Sequence, residues 1–276
     1  MIMNLHTHSH HSPDAQSDTV AQRLAYANSI GLRFLAITDH CEVNRMESAA
    51  FYGVEENEMC IYQNRKIAEA SITETDAAKS IPSVCRLLCG VELGQIPQNP
   101  EGARAIYQDP RLDLAIGSVH ELPDLPDFYF LDYSQYEIPV LITAYFEEVL
   151  KVAASDAYDI LGHLTYGLRY LPDCNAYDIT PHIPIIRDIF RTVIRNGKAI
   201  ELNGSRLKNN PPTTEPDLRL LKLYREMGGK LLTVSTDAHQ NEHVGLHLEQ
   251  LEQLARDAGF SELTYFIRHQ PFQTPL

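Results

Sequence analysis

The sequence predicts an α/β protein built on a parallel sheet close to a barrel, and two observations carry the prediction. Short apolar, β-branched runs alternate with longer segments of helical period along the whole chain. Those runs end, one after another, in His, Asp or Glu, where strand interiors of a buried parallel sheet would be apolar. Strands are expected at residues 2–6, 34–38, 87–93, 112–119, 160–163, 198–202 and 231–236. Helices are expected at 19–29, around 56–71, and at 139–155, 183–196, 215–227 and 246–258. Several of them stop at a glycine, as in Asn196-Gly197, Met227-Gly228 and Ala258-Gly259. The long stretches 41–86 and 121–137 read as loops or helical insertions over an active-site mouth. With no internal repeat and no linker rich in Gly, Pro or Ser, residues 1–276 read as one domain.

Composition excludes other classes. A chain of 276 residues with 44% hydrophobic and 22% charged residues can bury a sizeable core and is not disordered. The 23 Lys and Arg against 37 Asp and Glu leave a formal charge of -14, which disfavours nucleic acid or an anionic membrane as partner, though a small phosphate can still sit in a cationic pocket. The cysteines, Cys41, Cys60, Cys85, Cys89 and Cys174, are odd in number and form no C-x-x-C pair, so they read as reduced thiols. No signal peptide and no membrane-length apolar run is evident, which makes the cytoplasm the expected compartment.

The chemistry lies at the strand ends. They carry His6-Thr7-His8, Thr38-Asp39-His40, Gly90-Val91-Glu92, Ser118-Val119-His120, Gly162-His163 and Thr236-Asp237-Ala238-His239. In a parallel barrel every C-terminal strand end lies on one face, so residues far apart in sequence meet at one mouth. Pairs two apart, such as His6/His8 and Asp237/His239, point the same way on extended backbone. A lone histidine at a strand end is ordinarily solvated or hydrogen-bonded, and the joint pattern is what makes a metal site. Imidazole and carboxylate without thiolate suit Zn, Mn or Fe, and so many ligands exceed one tetrahedral shell, which implies two to three divalent ions.

In that order, and with Ser12-Pro13-Asp14-Ala15 after the first pair, these motifs resemble the PHP (polymerase and histidinol phosphatase) superfamily. The stretch from Ile200 to Arg206 is similar to the E-x-N-x-S-x-R segment of its histidinol-phosphate phosphatase branch. The resemblance implies a distorted (β/α)7 TIM-like barrel with a trinuclear centre at the C-terminal strand ends. By position, one ion would take His6, His8, Glu92 and Asp237, a second Glu92, His120 and His163, and a third Asp14, His40 and His239. His10, His11 and Asp18 stand near enough to Asp14 to compete for its place. Asp39 reads as a carboxylate that orients a ligand histidine. His182, His247 and His269 fall to surface or substrate-pocket roles, and His243 lies in the loop that follows His239.

What the resemblance implies is a phosphomonoesterase acting on a small phosphorylated metabolite, foremost histidinol phosphate. Glu92, Asp237 and His239 would be catalytic through a water that the ions hold as hydroxide near neutral pH. Arg206 and Arg169 would clamp the phosphate, with His243 beside the substrate. The stretch with Asp124, Asp127, Tyr129, Asp132 and Tyr133 either meets a cationic substrate or is an ordinary solvated loop. Two other functions compete: a phosphoesterase of the same superfamily acting on a nucleotide or a nucleic-acid end, and a non-catalytic metal-binding module, which would be expected to have gaps in the ligand set. A barrel amidohydrolase would be expected to end a strand in lysine, and none here does. Metal identity, oligomeric state and the group that protonates the leaving oxygen do not follow from the sequence.

Overall fold

The computed structural model describes residues 1–45, 64–172, 174, 177–209 and 212–276. Its strands are β1 (Met3–Asn4), β2 (Phe34–Ile37), β3 (His40–Glu42), β4 (Arg86–Gly94), β5 (Leu114–Ser118), β6 (Ile160–Leu161), β7 (Ala199–Asn203), β8 (Leu232–Ser235), β9 (Glu262–Ile267) and β10 (Gln270–Pro275). The helices are α1 (Val20–Ser29), α2 (Asn64–Ala78), α3 (Pro100–Tyr107), α4 (Ile138–Ala154), α5 (Ile183–Arg195), α6 (Leu218–Glu226) and α7 (Leu248–Asp257).

The main sheet runs β1-β2-β4-β5-β6-β7-β8, each neighbour parallel to the next. It closes on itself: Leu5 N donates to Val234 O at 3.2 Å, His8 N to Ala238 O at 2.9 Å, and Thr7 bridges Ala238 in parallel. Asn4 ties the seam, its amide donating to Thr236 Oγ1 at 2.7 Å and to Val244 O at 2.8 Å. The result is the distorted seven-stranded β/α barrel expected from the sequence. Its strands are buried on both faces, which is why they read as apolar runs rather than alternating ones.

Three elements depart from the sequence reading. The stretch 41–86 was expected to hold only loops or helix, yet His40–Glu42 forms β3, pairing with the outer half of β4 where β2 leaves off, with His40 opposite Glu92. The chain there is one strand interrupted at Thr38-Asp39. Helix α3 was not expected, although Asn99 caps it and Pro100 opens it. The antiparallel hairpin β9–β10 was also missed, because its two-residue turn is Arg268-His269, both at positive φ, without the Gly or Asn that usually marks such a turn. Of the helix expected at 56–71, residues 56–63 lie outside the described residues, and α2 continues to Ala78. Helix α1 begins as expected, with Thr19 and Gln22 forming a reciprocal cap. Among the described residues no helix is long and apolar enough to cross a membrane.

The hairpin seals the N-terminal end of the barrel. His269 N donates to Asp113 O at 2.8 Å, and His269 Nδ1 lies 2.7 Å from Asp159 Oδ2, which also receives Ala115 N. His269, expected on the surface or in a substrate pocket, is thus an anchor at the opposite end from the strand-end ligands. Leu263 and Phe266 are buried under the barrel. Truncating Phe266 to Ala should therefore cost about 3–5 kcal/mol. The measurement is urea unfolding, with the midpoint lowered and the slope m unchanged; a shift below about 1 kcal/mol would mean that the hairpin is not part of the cooperative core.

Candidate metal centre

Glu92, near the C-terminal end of β4 with no exposed surface, is the hub. Its Oε1 lies 3.1 Å from His120 Nε2 and 2.9 Å from His163 Nε2, and accepts Ser118 Oγ at 2.7 Å. Its Oε2 lies 3.2 Å from His6 Nε2, 2.9 Å from His40 Nδ1 and 3.7 Å from His8 Nε2. Asp237, at a positive φ of 53° past β8, faces His6 Nε2 at 3.6 Å and His8 Nε2 at 3.2 Å. Asp14 lies 3.0 Å from His239 Nε2 and 3.5 Å from His40 Nε2. His8 stacks between His40 and His239, with ring centroids 4.3 and 4.2 Å away. The nine positions carried over from the resemblance therefore lie together, but their close groups cut across the three expected subsets: His8 with His40 and His239, His6 with His8 and Asp237, His6 with Glu92 and His163, and His40 with Glu92 and His120.

The rings are held from behind. His6 Nδ1 lies 2.8 Å from Glu201 Oε1, His120 Nδ1 lies 2.9 Å from Glu42 Oε1, His8 Nδ1 lies 3.0 Å from Ser12 Oγ, and His239 Nδ1 lies 2.9 Å from the carbonyl oxygen of Asp237. Anchoring Nδ1 in this way fixes the tautomer and leaves the Nε2 lone pair facing the cluster, as metal-ligating imidazoles require. The fit to divalent ions shows in what is left over. His6 Nε2, His40 Nδ1 and Glu92 Oε2 are buried, close to one another, and without a hydrogen-bond partner. Buried polar atoms are nearly always paired, so three convergent unpaired ones mark a cation site.

Proton affinities reflect the same crowding. Burial works against charge on His120, but Glu42 and Glu92 overcome it and push the ring up to about 10. His6 and His40 are likewise held well above the usual imidazole value, against burial, by Glu92 with Glu201 and Asp237, and by Asp14 with Glu92. His8 goes the other way, down to about 4, through burial and the neighbouring His239 and His40. Burial opposes ionisation of Glu92 and Asp237 too, yet the imidazoles around them hold both well below the carboxylate range. The carboxylates stay charged, and proton and metal compete for the same lone pairs.

At the rim, Arg169 Nη2 lies 2.6 Å from Glu215 Oε2 and 3.4 Å from Asp237 Oδ2, and its guanidinium sits 4.6 Å over the Tyr166 ring. Arg206 is buried, donates to Cys174 Sγ at 3.0 Å, lies 3.9 Å from Glu215 Oε1, and keeps Nε unpaired. Two guanidiniums thus share one carboxylate at the edge of the cluster. His243 is placed apart, its Nε2 2.6 Å from the Gln240 side chain in a turn after His239. The stretch 121–137 divides: Tyr129 is exposed and Asp132 caps a turn at Ser134, whereas Asp127 is inside, accepting Tyr166 Oη at 2.9 Å, with its carboxyl raised by burial.

Asp39 touches no ligand ring. Its carboxylate accepts Ser9 N and Ser12 Oγ, each at 2.7 Å, and Ser71 Oγ at 2.5 Å, and it reaches His8 only through Ser12. The carboxylates that hold rings directly are Glu201 and Glu42, which the sequence reading did not single out. A signal existed for both: Glu201 is a charge inside an apolar strand run, and Glu42 is two residues beyond His40 on extended backbone, hence on the same side. Space is made for Glu42 at Gly94, where a Cβ would stand 2.0 Å from its carboxylate. Glu215 had no signal; it arrives by pairing with Asn203 across an antiparallel bridge.

The PHP domain model matches residues 4–205, a span that holds every cluster residue except Asp237 and His239. The chain belongs to the PHP domain family. Among PHP relatives, a Lactococcus lactis protein named "Histidinol-phosphatase" is 24% identical over 270 residues, covering 96% of this chain and 94% of its own length. A Thermotoga maritima protein named "Probable histidinol-phosphatase" is 25% identical over 265 residues, 95% of this chain and 94% of its own. The crystal structure of a Lactococcus lactis histidinol phosphate phosphatase, complexed with zinc, L-histidinol and phosphate, superposes with a TM-score of 0.77 at 24% identity, covering 99% of this PHP chain and 100% of that one.

The anchoring of His6 can be tested directly. Glu201→Gln keeps the shape and an acceptor for His163 N, which Glu201 Oε2 receives at 2.6 Å, but withdraws the charge behind His6. A 10–100-fold loss in metal affinity or turnover is expected, with the thermal midpoint of the fold retained. Wild-type metal retention and turnover in this variant would show that Glu201 does not position the ring.

Proposed function

We propose that this PHP protein is a metal-dependent phosphomonoesterase that hydrolyses L-histidinol phosphate to L-histidinol and phosphate. The observation that carries the reading is Glu92: a buried carboxylate whose two oxygens are each approached by imidazole nitrogens from different strands, with Arg169 reaching the same cluster at Asp237. The names of the relatives and the contents of the Lactococcus lactis complex support the substrate. We read residues 1–276 as a single unit of this kind, since the seam joins β1 to β8 and the hairpin seals the far end. The free thiols Cys41, Cys85, Cys89 and Cys174 favour the cytoplasm; Cys60 lies outside the described residues.

His6, His8, Glu92 and Asp237 would hold one divalent ion, Glu92, His120 and His163 a second, and Asp14, His40 and His239 a third, with Zn, Mn and Fe the metals suited to this donor set. When bound, such ions supply Lewis acidity toward phosphate oxygens and bring the pKa of a coordinated water from 15.7 to about 7. The chain's own residues do the rest. Glu92 would be shared between two of these ions. Arg169 and Arg206 would offer planar, two-pronged donors to the phosphate, with Glu215 between them orienting both. Asp127, in the stretch 121–137, would offer a carboxylate to the cationic end of the substrate, with Tyr166 holding it. His243, bonded to the Gln240 side chain, would meet the substrate from the loop margin.

The deciding experiment is steady-state kinetics of metal-loaded protein on a panel of phosphomonoesters. Histidinol phosphate should exceed p-nitrophenyl phosphate in kcat/KM, because contacts remote from the phosphate contribute transition-state binding that a generic aryl ester lacks. Much faster hydrolysis of a nucleotide or a DNA end would overturn the substrate and leave the metal centre standing. The arginine clamp gives a second expectation. Arg206→Lys keeps charge but loses the fork, which is worth about 1.5–3 kcal/mol for a charged hydrogen bond, or roughly one to two decades in kcat/KM. Metal content by elemental analysis should not change; a wild-type kcat/KM would remove Arg206 from the phosphate site.

A further inference from the structure

A second group of ligand-type side chains lies outside the cluster around Glu92. His10 and His11 stand in the turn between His8 and α1, and Glu74 projects from α2. Glu74 Oε2 lies 2.7 Å from His11 Nε2 and 3.5 Å from His10 Nε2, so both rings converge on one oxygen. The two imidazoles are 4.1 Å apart between centroids, the spacing seen for His8 with His40 and with His239 in the main cluster. On extended backbone adjacent residues face opposite ways; here the turn brings neighbours in sequence to the same side.

The group is held in place from outside. Glu74 Oε1 accepts Val20 N at 3.1 Å, at the start of α1, which orients the carboxylate and leaves Oε2 for the histidines. His10 N donates to Asp18 O at 3.0 Å, and His11 N lies 3.3 Å from Ser9 Oγ, itself bonded to Asp39. A single hydrogen bond from His11 to Glu74 accounts for one ring; it leaves the second ring's Nε2 aimed at the same oxygen, just beyond hydrogen-bond range. Two imidazoles and a carboxylate with one side open to water are the donor set of a three-ligand zinc-class site. The side chains are 18–33% exposed, so an ion can enter and keep a water.

We infer that His10, His11 and Glu74 form a separate, mononuclear site for a divalent transition ion of the zinc class, distinct from the cluster around Glu92. An ion there would tie the turn that precedes Asp14 to both α1 and α2. Instead of competing for the place of Asp14, His10 and His11 would serve this outer site.

The test is Zn2+ titration of metal-stripped, full-length protein, followed by calorimetry and by elemental analysis at saturation, with Co2+ absorption as a second probe. Wild type should take up one more equivalent than the double variant His10→Ala/His11→Ala, and that equivalent should be among the weaker ones, since the site is open and has three protein ligands. Glu74→Gln keeps an acceptor for Val20 N and should lose the same equivalent. Both variants should retain the remaining ions and the phosphatase turnover. Uptake equal to wild type in either variant would overturn the outer site. Because the readout is a difference of one equivalent, it is independent of how many ions the main cluster holds and of which ester it cleaves.

Discussion

A carboxylate with no exposed surface, placed at the centre of a barrel mouth, sets the terms for everything around it. Desolvating an ion is expensive unless opposite charge is close, and Glu92 is kept ionised by His6, His120 and His40, each delivered by a different strand segment. Those histidines must in turn be held in one tautomer, so each draws its own partner: Glu201 behind His6, Glu42 behind His120. The mouth is therefore layered, with alternating acid, imidazole and acid. Such an arrangement draws positive charge, as protons on the imidazoles or as cations in the middle, where the unpaired atoms of His6, His40 and Glu92 converge.

The barrel supplies the precision. Parallel strands with fixed register put His40 opposite Glu92 and Glu42 opposite Gly94, and the break at Thr38-Asp39 lets one strand segment leave β4 and another take its place. Asp39 sits at that break and gathers Ser9, Ser12 and Ser71, stitching the loop after β1 to α2. Arg23, fully buried, adds a second stitch by donating to His8 O at 2.6 Å. Both act on the backbone and the hydroxyls that carry the ligands, where small displacements matter most for coordination geometry.

What was legible in the sequence follows from periodicity. Barrel strands buried on both faces leave unbroken apolar runs, and a His, Asp or Glu at the end of such a run stands out, so the gathering of these residues at one mouth and the seven-stranded core were readable. Elements whose signal is not periodic were not. β3 is His40-Cys41-Glu42, two polar residues in three, and pairs only because β4 offers a free edge. The hairpin turn Arg268-His269 adopts positive φ with residues that seldom do, held there by Asp113 and Asp159 from distant parts of the chain. Glu215 reaches the arginines through a tertiary bridge to Asn203, a contact no local pattern encodes. Asp39 was given the right kind of role with the wrong contact, since a carboxylate beside a ligand histidine in sequence need not be beside it in space.

The two ends of the barrel divide stability from chemistry. At the mouth, each buried polar atom left without a partner withholds about 1–3 kcal/mol from the fold, and the clustered charges add their desolvation. At the other end, the β9–β10 hairpin covers the barrel with Leu263 and Phe266 inside, and the Asp113, Asp159 and His269 contacts lock the turn. Binding energy from cations at the mouth would be folding energy as well, because the clustered His, Asp and Glu side chains come from β3, β4 and the segments after β1, β5, β6 and β8, and converge only when the barrel is closed. The same carboxylate that makes the mouth costly to fold thus couples its occupation to the integrity of the whole seam, from His8 and Ala238 on one side to Glu92 and His40 on the other.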